Sequence, residues 1–260
     1  MHLRVLHNSS AQAAASGAGG ELAIAGAPEL SSATPESIVA WALERYPEGL
    51  IVTTGFGMEG CVLIDMLWRH ARATGAGAPA VHYLDTHFLF PETHALRERL
   101  RDRYPGVELI NSGTSLTPEE QAKQHGPELW KTHPDRCCQL RKVEPMRALL
   151  AGASAWMTAL RRSQSEARAA IRVVDRDGVF GVTKINPLAA WSREQVWEYV
   201  LAHGVPYNEL HERGYPSIGC THCTRAVPGS SVTDYSRAGR WSGTTKTECG
   251  LHWNDAGSGI

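Results

Sequence analysis

The sequence predicts an α/β fold in which a mostly parallel sheet carries helices on both faces. Three observations lead there. Short, β-branched apolar runs recur along the chain. Between them, apolar residues fall at helical spacing, and strands that alternate with helices build parallel βαβ units. The 260 residues suit one such domain with appendages and can enclose a sizeable core.

The elements follow in chain order. Residues 8–32 hold 17 Ala, Gly or Ser in 25 positions, which leaves little to bury, so residues 1–33 are expected to be a flexible leader. Arg4 is its only Arg, and Glu21 and Glu29 fit a transit peptide poorly. Thr34-Pro35 opens a helix with Pro at the first helical position, and Ile38, Val39, Ala42 and Leu43 share a face. Leu50–Thr54 is a buried strand, Gly55-Phe56-Gly57-Met58 a turn, and Val62, Leu63, Met66 and Leu67 mark the next helix. The plan repeats with a strand at Ala80–Leu84, a loop at Asp85–Phe90 and a helix at Pro91–Tyr104. Val107–Ile110, Ser154–Thr158 and Val179–Ile185 are further strands. Ser192-x-x-Gln195 is a capping box for a helix with Val196, Trp197, Val200 and Leu201 on one side. The chain is loop-rich from Gly204. The division is therefore a leader, a main domain at 34–228, and a mobile tail at 229–260 rich in Gly, Ser and Thr.

Lys and Arg number 26 against 27 Asp and Glu, a formal net charge of −1, without the basic surplus of a nucleic-acid binder. There is no run of about 18 apolar residues to span a membrane. Met1–Leu6 does not read as a secretory signal. The expected setting is cytoplasmic and reducing, with neither nucleic acid nor membrane as partner, so the six Cys call for a role other than disulfides.

Cys137 and Cys138 are adjacent, and Cys220-Thr-His-Cys223 follows 82 residues after Cys138. Four thiolates suit zinc or an iron–sulfur cluster. A structural zinc site draws on two spaced pairs, each wrapping the ion, and adjacent cysteines wrap badly. A cubane cluster is wider and offers separate corner irons, which favours [4Fe-4S] over zinc. Burial of the four as small hydrophobes is the plainer alternative. His222 reads as a spacer. Cys249 stands apart in Lys246-Thr-Glu-Cys249-Gly-Leu-His252, a polar, Gly-flanked stretch with no core to bury it. Lys246 and His252 favour an exposed thiolate nucleophile there and Glu248 opposes it; a stray surface Cys is the alternative. Cys61, among Val62, Leu63 and Ile64, reads as buried and structural.

Gly55-Phe-Gly57-Met-Glu-Gly60 joins strand to helix. Backbone N–H groups there favour an anion, but the Walker sequence is missing and a plain turn fits equally. Arg161-Arg162-Ser163-Gln164-Ser165 follows the strand ending at Leu160, where two Arg can clamp phosphate or sulfate oxygens, or face solvent. Asp85-Thr86 lies at the same edge, to hold a nucleotide or to cap the next segment.

Taken together, these pieces resemble the phosphoadenylyl- and adenylyl-sulfate reductase family of sulfate assimilation, over nearly all of residues 45–252. The resemblance is most specific at Leu84-Asp-Thr-His-Phe-Leu-Phe-Pro-Glu-Thr93, Cys137-Cys-Gln-Leu-Arg-Lys-Val-Glu-Pro145, Tyr215-Pro-Ser-Ile-Gly-Cys-Thr-His-Cys-Thr-Arg225 and Glu248-Cys-Gly-Leu-His252. It implies an adenine-nucleotide alpha-hydrolase-like sheet, related to the ATP-pyrophosphatases, and a modified pyrophosphate loop at Thr53–Gly60. It implies one [4Fe-4S] cluster per subunit on Cys137, Cys138, Cys220 and Cys223, and a nucleophile at Cys249. Substrate contacts are expected from Thr54, Gly55, Gly57, Asp85, Thr86, Lys142, Arg161, Arg162, Arg240 and His252. The two cysteine pairs resemble the cluster-bearing branch, whose usual substrate is adenosine 5′-phosphosulfate; a reductase of the 3′-phosphorylated substrate, or of both, is the runner-up. With the chain ending at Ile260, the reductant is expected from outside, as thioredoxin or glutaredoxin, and a homo-oligomer is expected. Two positions depart from the family: His87 replaces the usual Gly, and Gly60 stands where many members carry Asp. Two rivals remain in view. An ATP-cleaving ligase on this fold would want a Ser-Gly-Gly-x-Asp-Ser loop, which Thr54–Gly60 lacks. A zinc-stabilised binding module would hold zinc and no labile sulfide.

Overall fold

The computed structural model of the protein describes residues 30–252. Its centre is β1 (Leu50–Thr54), parallel to β2 (Val81–Tyr83) on one side and β4 (Ala155–Met157) on the other, with Val52 opposite both Val81 and Met157. β3 (Leu109–Asn111) extends the sheet beyond β2 and β6 (Thr183–Ile185) beyond β4, both parallel; β5 (Val174–Arg176) is an antiparallel edge strand on β6. The order is β3-β2-β1-β4-β6-β5.

The central strands β1 and β4 are largely apolar because both faces are covered. Val52 and Met157 point into the main core with Val62, Leu63 and Ile185. Ile51 and Trp156 point the other way, to a second cluster with Met146, Leu150 and Val182. The main face carries α1 (Pro35–Arg45), α2 (Met58–Thr74) and α8 (Arg193–His203), with α2 against both neighbours. Thr34 Oγ1 caps α1 by accepting from Ser37 N at 3.2 Å, and Ser192 with Gln195 closes the capping box of α8. α3 (Pro91–Arg103) follows β2. A helical stretch the sequence pattern does not announce fills 118–149: α4 (Pro118–His125), α5 (Leu129–Thr132), α6 (Pro134–Cys138), a π-helical turn at Gln139–Val143, and α7 (Glu144–Leu149).

Several boundaries move. The strand expected over Val107–Ile110 begins later, because Val107 N closes a turn on Tyr104 O at 3.1 Å. The strand expected over Val179–Ile185 keeps only its last three residues. Asp177 Oδ1 accepts from Val179 N and Phe180 N at 3.0 and 2.8 Å, which bends that segment into the turn joining β5 to β6. Leu201 is 63% exposed although Val196 and Val200 are buried, because one residue beyond Val200 rotates it off the core face. Leu30 is buried and Ala33 packs beside it, so the core begins before residue 34; residues 1–29 of the expected leader lie outside the described residues. No helix among the described residues is long and apolar enough to cross a membrane.

Strand order reverses between β1 and β4. In an open parallel sheet, that reversal opens a crevice at the carboxyl ends of the strands.

Candidate active site

The crevice is a cavity of ≈ 240 Å³, and its floor comes from the turn after β1. Thr54 is buried, and its Oγ1 accepts from Phe56 N at 3.0 Å, which holds Phe56 in a left-handed turn at φ 56°. Gly57 is the N-cap of α2 and adds no side chain between the helix end and the cavity. Thr54, Gly55 and Gly57 all line it. A Cβ on Gly60 would run into Thr54 Oγ1, which gives Gly60 a local cause. Next to it Glu59 is buried, accepts from Arg161 Nε at 2.9 Å and Arg193 Nη1 at 3.3 Å, and forms an ion pair with Arg161 Nη2 at 2.8 Å. Burial pushes the Glu59 carboxyl up, but Arg193 and Arg161 outweigh it and hold it down at about 2.

That ion cluster corrects two expectations. Arg161 is fully buried on Glu59 and under the Tyr235 ring, and it does not line the cavity. Arg162 turns away and donates through Nε to Ile171 O at 2.9 Å. The cations on the cavity wall are Lys142, Arg168, Arg237 and Arg240 instead. Asp85 is also off the wall: its Oδ1 accepts from His87 N at 2.8 Å. His87 has φ 58°, the left-handed conformation that Gly adopts most readily, and its Nε2 lies 3.0 Å from Thr114 O. Thr86 does line the cavity, with Oγ1 3.2 Å from Cys220 Sγ.

The roof is the chain from Val232 to His252. It was expected to be too polar to pack, yet it is fastened at several points by charge and by ring stacking. Arg193 Nη2 donates to Val232 O at 3.0 Å, and Trp241 N to Cys223 O at 3.1 Å. Trp241, at φ 46°, is buried beside Arg237, Arg240 and Lys246. Lys246 pairs with Asp135. Glu248 is buried and accepts from Arg168 Nη2 at 2.9 Å and Arg237 Nη2 at 3.1 Å. Residues 253–260 of the expected tail lie outside the described residues.

Cys249 is half-buried on the cavity wall rather than an exposed thiol. Burial raises its pKa, but Lys142, the Leu251 N–H and, more weakly, Arg240 outweigh burial and Glu248, so the thiol is more acidic than an ordinary cysteine. His252 stacks on Trp156, centroids 5.3 Å apart at 19°. Its Nδ1 is buried without a partner among the described residues. Burial and the cations Lys184 and Arg168 push its pKa well below the usual imidazole value, so the ring is neutral.

All four paired cysteines line a second, smaller cavity beside the first, with Cys220 and Lys142 on the walls of both. Cys137 and Cys138 end α6, and Cys220 and Cys223 bracket a 3₁₀ turn pinned by Thr221 N donating to Phe88 O at 2.8 Å. Burial pushes the Cys137 thiol up to about 11 and Cys138 to about 12, and raises Cys223. Among the described residues, no three His, Cys, Asp or Glu side chains converge to hold a single metal ion. Cys61 lies in the main core, as expected, with its thiol pushed up to about 12 by burial.

Sequence reasoning missed Arg168 and Arg237 on the wall. Arg237 had a signal, since Arg237-Ala-Gly-Arg240 sets two cations in the tail. Arg168 had none.

A model of the phosphoadenosine phosphosulfate reductase domain matches residues 49–226, which includes the floor and both cysteine pairs. The chain belongs to that family. Similar proteins named adenosine 5′-phosphosulfate reductase include that of Halalkalibacterium halodurans, 46% identical over 215 residues, 83% of this chain and 90% of the relative. That of Salinibacter ruber is 46% identical over 219 residues, 84% of this chain and 83% of the relative. Among solved structures, the phosphoadenylyl-sulfate reductase of Candida auris, in a phosphate complex, aligns with TM-score 0.65 and 32% identity, covering 78% of this chain and 94% of that one. The FMN adenylyltransferase of Candida glabrata aligns at TM-score 0.54 with 16% identity, covering 75% of this chain and 63% of that one, a likeness of fold.

Proposed function

We propose that the protein reduces adenosine 5′-phosphosulfate to sulfite and AMP in assimilatory sulfate reduction and cysteine biosynthesis, with thioredoxin or glutaredoxin supplying electrons. The observation that carries this reading is Cys249, an acidified thiol facing one cavity together with Lys142, Arg168, Arg237 and Arg240. The names of the relatives support the substrate.

The Cys249 thiolate attacks the sulfuryl sulfur, and the bond from that sulfur to the phosphate oxygen breaks. AMP leaves with the bonding pair, and Cys249 carries an S-sulfonate. A thiolate of the donor then attacks Cys249 Sγ and expels sulfite. The donor's second thiol resolves the mixed disulfide, so its dithiol supplies both electrons. Thr54, Gly55 and Gly57 seat the phosphate end near the N-terminus of α2. The four cations hold the phosphosulfate oxygens, and neutral His252 lines the same cavity.

What supports a [4Fe-4S] cluster on Cys137, Cys138, Cys220 and Cys223 is that all four line the one second cavity. These four cysteines would hold one cluster per subunit, which would order their segments and supply charge beside Lys142. The enzyme works in the cytoplasm, where thiol donors stay reduced.

Sulfite release with thioredoxin tests the reading. A higher kcat/KM for adenosine 5′-phosphosulfate than for its 3′-phosphorylated relative is expected, and equal or reversed preference would overturn the substrate. Incubation without donor should add one sulfonate, found by mass spectrometry on the peptide with Cys249.

A further inference from the structure

The second cavity has an aromatic wall with no part in the steps above. Trp130, on α5, and His222, on the turn between Cys220 and Cys223, stack with centroids 3.9 Å apart and rings 8° from parallel. Phe88 meets both edge-on, at 5.1 and 4.8 Å. All three line the cavity with the four cysteines. Phe88 is the inner layer: it is buried, with the Arg141 guanidinium 4.4 Å from its ring. The outer pair is half-buried Trp130 and exposed His222, whereas Cys137, Cys138 and Cys220 are buried. The cysteine spacing fixes where His222 starts, but Trp130 reaches it from a different element. Two rings this parallel at this distance leave no layer of water between them.

We propose that the Trp130–His222 stack is a cover over the cysteine cavity that keeps water and dissolved solutes from the cluster held there. The inference rests on the cluster reading. His222 is then more than the spacer its position suggests. Phe88 seats the cover, and removing either outer ring opens one side of the cavity without touching a thiol.

The test uses anaerobically purified holoenzyme and follows iron release to a ferrous chelator, with loss of the visible cluster absorbance as a parallel trace. His222→Ala and Trp130→Ala should begin with the iron and sulfide of the unaltered protein and release iron about ten-fold faster, the scale on which groups around a metal site act. Trp130→Phe, which keeps a flat ring, should stay near the unaltered rate. Should Trp130→Ala fail to load iron, His222→Ala carries the test, since its ring lies at the surface. Iron-loaded His222→Ala that releases at the unaltered rate overturns the cover. Unaltered enzyme without iron or sulfide is a different result, because it removes the cluster reading itself.

Discussion

Glu59→Gln removes one negative charge from between two buried guanidiniums and changes the shape of the site very little. Glu59 is 5% exposed, Arg161 0% and Arg193 4%, so water cannot replace the lost partner. A carboxyl held at about 2 instead of the ordinary 4.5 contributes about 3 kcal/mol wherever it is ionised in both folded and unfolded chains. Breaking a buried pair and stranding its cations costs about 3–5 kcal/mol, which agrees. For a domain of this size, that is a fall in Tm on the order of 10 °C at pH 7. The folded pKa is the lower one. The contribution is therefore complete above pH 4.5 and is lost as pH falls toward about 2. Scanning calorimetry from pH 7 to pH 3 should show a large gap in Tm between the two proteins at neutral pH that narrows with acid. A gap of less than about 2 °C at pH 7, or one that does not narrow, would refute the reasoning. Arg161→Met added to Glu59→Gln should recover part of the loss, because it removes one stranded charge.

Cys249→Ser should keep full iron content and still bind nucleotide, yet make no sulfite, since a hydroxyl is barely ionised near neutral pH and could not be displaced by a donor thiol; measurable turnover would take the covalent role from Cys249. Glu248→Gln removes the carboxylate shared by Arg168 and Arg237, and charged hydrogen bonds of this kind are worth about 1.5–3 kcal/mol each. Amide hydrogen exchange across 237–251 should then accelerate by about ten-fold or more, and unchanged exchange would mean that the roof is held elsewhere. Gly60→Ala sets two effects against each other, a gain of up to about 1 kcal/mol in helix propensity and an overpacking cost of about 1–3 kcal/mol against Thr54. Net destabilisation in urea titration is expected, and a stabilised variant would show that Thr54 gives way freely. Serine at Cys137 should abolish iron binding, whereas serine at Cys61, deep in the main core, should leave the iron count unchanged.

What the sequence made legible was local. Leu50–Thr54 reads as a strand because five neighbours carry the pattern, and Ser192 with Gln195 caps a helix three residues away. The cysteine pairs stood out for the same reason, as did the acid and base flanking Cys249. Long-range ownership of charge was hidden. Arg161 and Arg162 look like free cations after a strand, and nothing nearby announces that Glu59 claims the first. Arg168 is held by nearby Gln164 and also by Glu248, which arrives from the far end of the chain. The helices over 118–149 escaped notice because four of them have eight residues or fewer, too short for a clear apolar stripe. The roof escaped for a related reason: ion pairs and ring stacking hold it, and composition alone does not count them.

In the proposed reaction, a sulfur beneath that roof serves two clients from one seat. With Glu248 fastened to Arg168 and Arg237 and Lys246 to Asp135, Cys249 sits half-buried under the roof, and the proposed reaction puts the nucleotide first and the donor second. Varied against each other, the two substrates should give the parallel double-reciprocal lines of a ping-pong enzyme. A donor in excess should bind the sulfonated chain in preference to the resting one, because an S-sulfonate on Cys249 would compete with Glu248 for Arg168.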